Sequence, residues 1–113
     1  MASPELQALV AGLREGGPDL AAPPPQARIA FEDMLATIPV GEDLTFEDST
    51  LGDVPVLRCA APGAAEDGAL LYLHGGAFVI GSPKGYRGLA GELGRATGVP
   101  AYSVDYRLAP EHV

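Results

Sequence analysis

Apolar residues recur along this chain with two different periods, and the change of period divides it. Leu6, Leu9, Val10 and Leu13 fall at helical spacing. Ser3 ahead of them suits a helix cap, Pro4 the first helical position, and Glu5 the positive end of the dipole. Gly16-Gly17-Pro18 stops the pattern. After a linker from Ala21 to Pro25, a stronger stripe runs through Ala27, Ala30, Phe31, Met34, Leu35 and Ile38. Those positions share one helix face, and Pro39 closes it. Phe31 and Met34 read as packing residues of that face.

Beyond Gly41 the period falls to two. Leu44 and Phe46, then Val54 and Val56, predict two short strands joined at Ser49 to Asp53. Pro55 lacks a ladder donor, which places the second strand at or near a sheet edge. Pro62-Gly63 and Asp67-Gly68 mark the next loop. Ala69 to Leu73 is a continuous apolar run between turns, the pattern of a strand covered on both faces. A glycine-rich turn follows, then a helix carrying Tyr86, Leu89, Ala90, Leu93 and Thr97 that ends at Gly98. Val99 to Val104 is again strand-like. Strand, helix, strand predicts a βαβ unit with parallel strands and a right-handed crossover. The expected fold class is therefore α/β, with two N-terminal helices and an antiparallel start.

Composition narrows the partners. The chain has 113 residues, so it holds one domain at most, and 47% hydrophobic residues argue against disorder. Its 15 Gly and 11 Pro are scattered at turns, apart from Pro23-Pro24-Pro25, so they act as punctuation. A formal charge of -8 repels phosphate backbones and anionic headgroups, which disfavours nucleic acid and membrane surfaces as partners. Lys84, Arg87, Arg95 and Arg107 read as a solvated helix face with ion pairs. The first residues have neither a basic start nor an apolar core, and no apolar run approaches the ~20 residues of a membrane span. A cytoplasmic protein is expected. The lone Cys59 sits in a strand pattern, where a small buried hydrophobe is the default.

The chemistry lies in Leu73-His74-Gly75-Gly76-Ala77-Phe78, directly after the apolar strand and before the helix. Successive glycines let backbone N–H groups turn toward one point, which suits an oxyanion or a phosphate. A Walker A loop is excluded, because Ser82-Pro83 stands where its Lys and Ser/Thr belong. No stretch supplies a dinucleotide fingerprint. A metal site lacks clustered ligands, since His74 and His112 are 38 residues apart and Cys59 is alone. The remaining reading is an oxyanion loop of the lipase and esterase type, with neither metal nor cofactor expected.

That segment does not stand alone. Tyr72 to Ser82 (YLHGGAFVIGS) resembles the oxyanion segment of the hormone-sensitive-lipase-like family of α/β-hydrolases. Val104 to His112 (VDYRLAPEH) resembles the loop which that family carries after its fourth strand. The resemblance covers roughly residues 40 to 113 well and the N-terminal helices loosely. It implies that 1–40 are cap helices and 41–113 part of the hydrolase domain. It implies also that the N–H groups of Gly76 and Ala77 donate to a tetrahedral oxyanion, with Gly75 shaping the turn and His74 orienting the loop. His74 would not be the catalytic base. Ala77 replaces a glycine of the commonest family pattern; its N–H remains, provided that its φ tolerates a Cβ. Asp105, Arg107 and Glu111 are expected to form ion pairs that pin the second loop.

The same family places its nucleophile on a downstream G-x-S-x-G elbow, followed by the acid and the histidine. None of Ser3, Ser49, Ser82 and Ser103 has that context, and Ser82 and Ser103 read as an ordinary turn and strand serine. Two functions follow as expectations. One is a serine carboxylic-ester hydrolase acting on small to medium acyl esters, of which this chain is the part before the elbow, inactive by itself. The other is a non-catalytic module that binds or oligomerises, with self-association through an exposed sheet edge. An anion-binding loop for a phosphorylated ligand ranks behind both, because the loop contains no Lys or Arg.

Overall fold

The computed structural model describes all 113 residues, Met1 to Val113. Helix α1 spans Pro4–Gly16, with the Ser3 hydroxyl accepting from Leu6 N–H at 3.2 Å. Its apolar stripe has the expected spacing, yet Leu6, Leu9, Val10 and Leu13 are all exposed. Helix α2 spans Pro24–Ala36 and buries Ala27 and Leu35, with Phe31 and Met34 half-buried. Ile38, expected on that face, lies beyond the helix end and is exposed.

A hairpin follows. Strand β1 (Thr45–Leu51) pairs antiparallel with β2 (Val54–Ala60), Leu51 opposite Val54. The turn is therefore Gly52-Asp53 alone, not Ser49 to Asp53. Gly52 adopts φ 60°, which lets a two-residue turn reverse the chain, so Ser49, Thr50 and Leu51 stay in the ladder.

Strand β3 (Leu70–Tyr72), helix α3 (Arg87–Thr97) and strand β4 (Ala101–Val104) form the βαβ unit, with β3 and β4 parallel. The sheet order is β1-β2-β4-β3. Strand β2 thus lies one place in from the edge, paired on both sides. Pro55 is tolerated there because it stands where the β2–β4 ladder stops. Its carbonyl accepts the N–H of Asp105 at 2.9 Å, and the missing proline N–H ends the pairing.

Small residues let α3 lie close to the sheet. Ala90, Gly91 and Gly94 are its buried positions, and a Cβ on Gly94 would meet the Val99 carbonyl oxygen at 2.8 Å. The larger Leu89 and Leu93, expected to carry this face, are instead exposed. Cys59, Ala90 and Ala101 are fully buried, with Phe46, Leu57, Leu70 and Tyr72 packed around them. Burial pushes the Cys59 thiol up to about 11, so it stays protonated and inert. The opposite sheet face has no covering helix. Leu71 and Leu73 are 60% and 62% exposed, so β3 is an edge strand covered on one face, not on both as its apolar run suggests.

Candidate active site

The loop after β3 begins with a buried histidine. The His74 ring stacks between Tyr106 (centroids 4.4 Å apart) and Tyr86 (5.7 Å), and its Nδ1 lies 2.9 Å from the Gly75 carbonyl oxygen. The Tyr106 hydroxyl donates to the His74 carbonyl at 2.5 Å. Burial, with Tyr86 adding to it, pushes the Tyr106 hydroxyl above its usual range, so it stays a donor. Tyr72 and Tyr86 are raised likewise, burial again being the larger cause.

From His74 the backbone turns sharply. Gly76 has φ 137°, and a Cβ there would come 2.0 Å from the Ile80 carbonyl oxygen, so glycine is required. Ala77 and Phe78 follow with φ 53° and 62°, two consecutive left-handed residues that carry side chains. The N–H groups of Val79 and Ile80 both donate back to the Gly76 carbonyl at 3.0 Å. The N–H groups of Gly76 and Ala77 donate to no acceptor of the protein. His74, Gly75, Gly76 and Ala77 thus come together at the C-terminal end of β3, with Ala77 exposed and Gly76 half-buried.

Three further contacts hold the loop. The Ala109 N–H donates to Phe78 O at 2.8 Å, tying it to the segment after β4. Arg28 of α2 donates through Nε to Val79 O and through Nη2 to Ala109 O, both at 2.7 Å. Its guanidinium also grips Glu111 on both carboxylate oxygens, at 2.7 and 2.8 Å. Glu111 therefore forms an ion pair as expected, but with a helix 83 positions away. Asp105 and Arg107, expected to join it, form no ion pair: both are exposed, and Arg28 already fills the corner between the loops. The hydrogen bonds from Arg28 hold the Glu111 carboxyl down at about 2. Arg28 carried no sequence signal beyond flanking an apolar stripe. Its partners lie 51 to 83 positions away, a distance no local pattern spans.

The serines have structural partners or none. Ser82 donates to a Glu32 carboxylate oxygen at 2.8 Å and accepts the Gly85 N–H at 2.9 Å, fastening the turn into α3 to α2. Ser103 is fully buried within β4, and its hydroxyl has no hydrogen-bond partner. An open hollow of about 540 Å³ lies among Phe46, Asp48, Lys84, Arg87 and Asp105; Gly76 and Ala77 are not in its lining. No group of three or more His, Cys, Asp or Glu side chains is placed to hold a metal ion. No helix is long and apolar enough to cross a membrane.

Known proteins share both this architecture and its residues. The chain superposes on an esterase of the bacterial hormone-sensitive lipase family with a TM-score of 0.85 and 37% identity, over 98% of this chain and 37% of that one. It belongs with the hormone-sensitive-lipase-like α/β-hydrolases. An α/β-hydrolase family model matches residues 70–113, which include both loops of the site. An esterase/lipase from an uncultured bacterium superposes with a TM-score of 0.86 at 36% identity, over 98% of this chain and 38% of that one. LipR of Mycobacterium tuberculosis, provisionally named an acetyl-hydrolase, is 44% identical over 68% of this chain and 26% of its own length. The ethyl acetate hydrolase of Pseudomonas putida is 38% identical over 76% of this chain and 30% of its own length. The chain thus spans about a quarter to a third of these two relatives.

Proposed function

We propose that this α/β-hydrolase chain supplies one wall of the active site of a serine carboxylic-ester hydrolase. The Gly76 and Ala77 N–H groups donate to the tetrahedral oxyanion, Gly75 shapes the turn, and the stacked His74 ring orients the loop. The observation that carries this reading is the pair of adjacent N–H groups with no acceptor in the protein, in a loop whose His74, Gly76, Phe78 and Val79 carbonyls are each held by a donor. Donors fixed in advance need not reorganise when negative charge develops on the substrate oxygen, which is the source of oxyanion stabilisation.

On this reading a serine nucleophile attacks the ester carbonyl, and the nucleophile, acid and catalytic histidine lie outside these 113 residues. The third donor of the hole follows that serine. The Ala77 methyl narrows the acyl side of the hole while leaving its N–H in place. The names of the relatives, ethyl acetate hydrolase and acetyl-hydrolase, favour short acyl groups. Residues 1–40 act as a cap over the site. A charge of -8 argues against nucleic acid or anionic membranes as partners, and a cytoplasmic location fits the same composition.

The test is hydrolysis of p-nitrophenyl acetate by the protein expressed from its complete gene and by residues 1–113 alone. The first is expected to turn over the ester and the second to stay at background. Replacing the Ala77 amide by an ester linkage in the active protein removes the N–H, leaves the side chain in place while weakening the Gly76 carbonyl as an acceptor for Val79 and Ile80, and should lower kcat by roughly 10² to 10³. A loss below threefold sinks the assignment of that donor. Activity in the 113-residue chain that Ser82→Ala or Ser103→Ala abolishes sinks the placement of the nucleophile elsewhere.

A further inference from the structure

Two left-handed residues with side chains, Ala77 and Phe78, are conformationally costly, and they persist only where the chain on either side is fixed. On one side the buried His74 is held by Tyr106. On the other, the first side-chain anchor is Arg28, whose Nε reaches the Val79 carbonyl at 2.7 Å. The same guanidinium reaches Ala109 O at 2.7 Å, and the Ala109 N–H in turn holds Phe78 O at 2.8 Å. Helix α2 and both loops therefore meet at one planar group.

We propose that Arg28 is a positioning residue for the oxyanion donors, coupling the seating of the N-terminal helix α2 to the direction of the Gly76 and Ala77 N–H groups. The inference rests on the ester-hydrolase reading. Chemistry explains why arginine stands there. Nε and Nη2 point to two carbonyls while Nη1 and Nη2 hold both oxygens of Glu111, a fork that a lysine ammonium cannot reproduce. Glu111 serves as the counter-charge that keeps the half-buried guanidinium in plane. Ester turnover thereby depends on α2 being docked, since release of Arg28 frees the two carbonyls that hold the turn open.

The experiment uses the protein from its complete gene with Arg28→Met, Arg28→Lys and Glu111→Gln. The readouts are kcat and KM on p-nitrophenyl acetate, together with the amide cross-peaks of Gly76, Ala77, Cys59 and Ala101 in 1H–15N spectra. Arg28→Met should lower kcat by roughly 10- to 100-fold with KM within twofold, because donors displaced by a fraction of an ångström stabilise the transition state less. Arg28→Lys should not restore kcat. Glu111→Gln should lose less, because both backbone contacts remain. The Gly76 and Ala77 cross-peaks should shift or broaden while those of Cys59 and Ala101 hold. Wild-type kcat in Arg28→Lys, or unmoved Gly76 and Ala77 cross-peaks, overturns the proposal. A wild-type protein without esterase activity overturns the ester reading instead, and the cross-peaks then decide the role of Arg28 by themselves. Should Arg28→Met fail to fold, Arg28→Lys and Glu111→Gln carry the same decision.

Discussion

The hydroxyl of Tyr106 donates to the carbonyl oxygen of His74 at 2.5 Å, and the rings of the two residues stack 4.4 Å apart. His74 is buried, and no other donor reaches its carbonyl. Tyr106→Phe keeps the stack and leaves that carbonyl unpaired, so it should cost about 1–3 kcal/mol in urea unfolding. Tyr106→Leu also removes the ring contact and should cost about 0.5–1.5 kcal/mol more. Equal losses in the two variants would mean that the stack contributes nothing.

Gly76 and Ala77 are adjacent, both have positive φ, and they should respond unequally to exchange. Gly76→Ala places a Cβ 2.0 Å from the Ile80 carbonyl oxygen at φ 137°, a conformation that alanine avoids. The turn has to rearrange, and a loss on the order of 2–3 kcal/mol is expected. Ala77→Gly relieves left-handed strain of about 1–2 kcal/mol. The freer unfolded chain offsets part of that gain. Its stability should therefore stay within about 1 kcal/mol of wild type. Unfolding midpoints at one pH check both, and a tolerated Gly76→Ala would contradict the described turn.

Acid should weaken the link between α2 and the loop after β4 only at low pH. The Glu111 carboxyl is held at about 2, below its ordinary 4.5, first by hydrogen bonds from Arg28 and then by its own backbone amide. A folded value below the unfolded one means that the contribution is present above the ordinary range and is lost as pH falls through the folded value. The difference in urea midpoint between wild type and Glu111→Gln should hold from pH 7 to about 5, shrink below about 4.5 and vanish near 2. Carbon-detected titration of the Glu111 carboxyl gives the value directly. A midpoint of 4 or above would show that the ion pair does not persist in solution.

Strand β3 has a partner on one side only, and its face away from α3 exposes Leu71 and Leu73. An apolar strand edge is a template for pairing with another chain. Sixteen of the 113 residues are buried, which leaves a thin core to oppose such association. Residues 1–113 expressed by themselves should run as dimers or larger species in size exclusion. Leu71→Lys with Leu73→Lys should shift them toward the monomer volume. A soluble wild-type monomer with one cooperative urea transition would refute this expectation.

Most elements were legible because their signals are local. Ser3, Pro4 and Gly17 bracket α1, Gly98 ends α3, and the two apolar runs around the glycine-rich turn mark β3 and β4. Apart from the bounds of the hairpin turn and the ion pairs of Asp105 and Arg107, the expectations that failed concerned what covers each element. Periodicity located the α1 stripe and the leucines of α3, yet the buried positions of α3 are Ala90, Gly91 and Gly94. Small residues carry little hydrophobic signal, and their value appears only where a helix lies close to a sheet.

The sequence by itself determined the α/β order and the place of the glycine-rich loop His74-Gly75-Gly76-Ala77 directly after β3, because backbone propensity and a short motif are written in adjacent residues. Only the tertiary structure decided that Glu111 pairs with Arg28, that Tyr86 and Tyr106 enclose His74, and that Asp105 and Arg107 stay free of ion pairs. Those pairings join residues up to 83 positions apart. Their geometry depends on how α2 and the loops after β3 and β4 pack together, and no local pattern encodes that meeting.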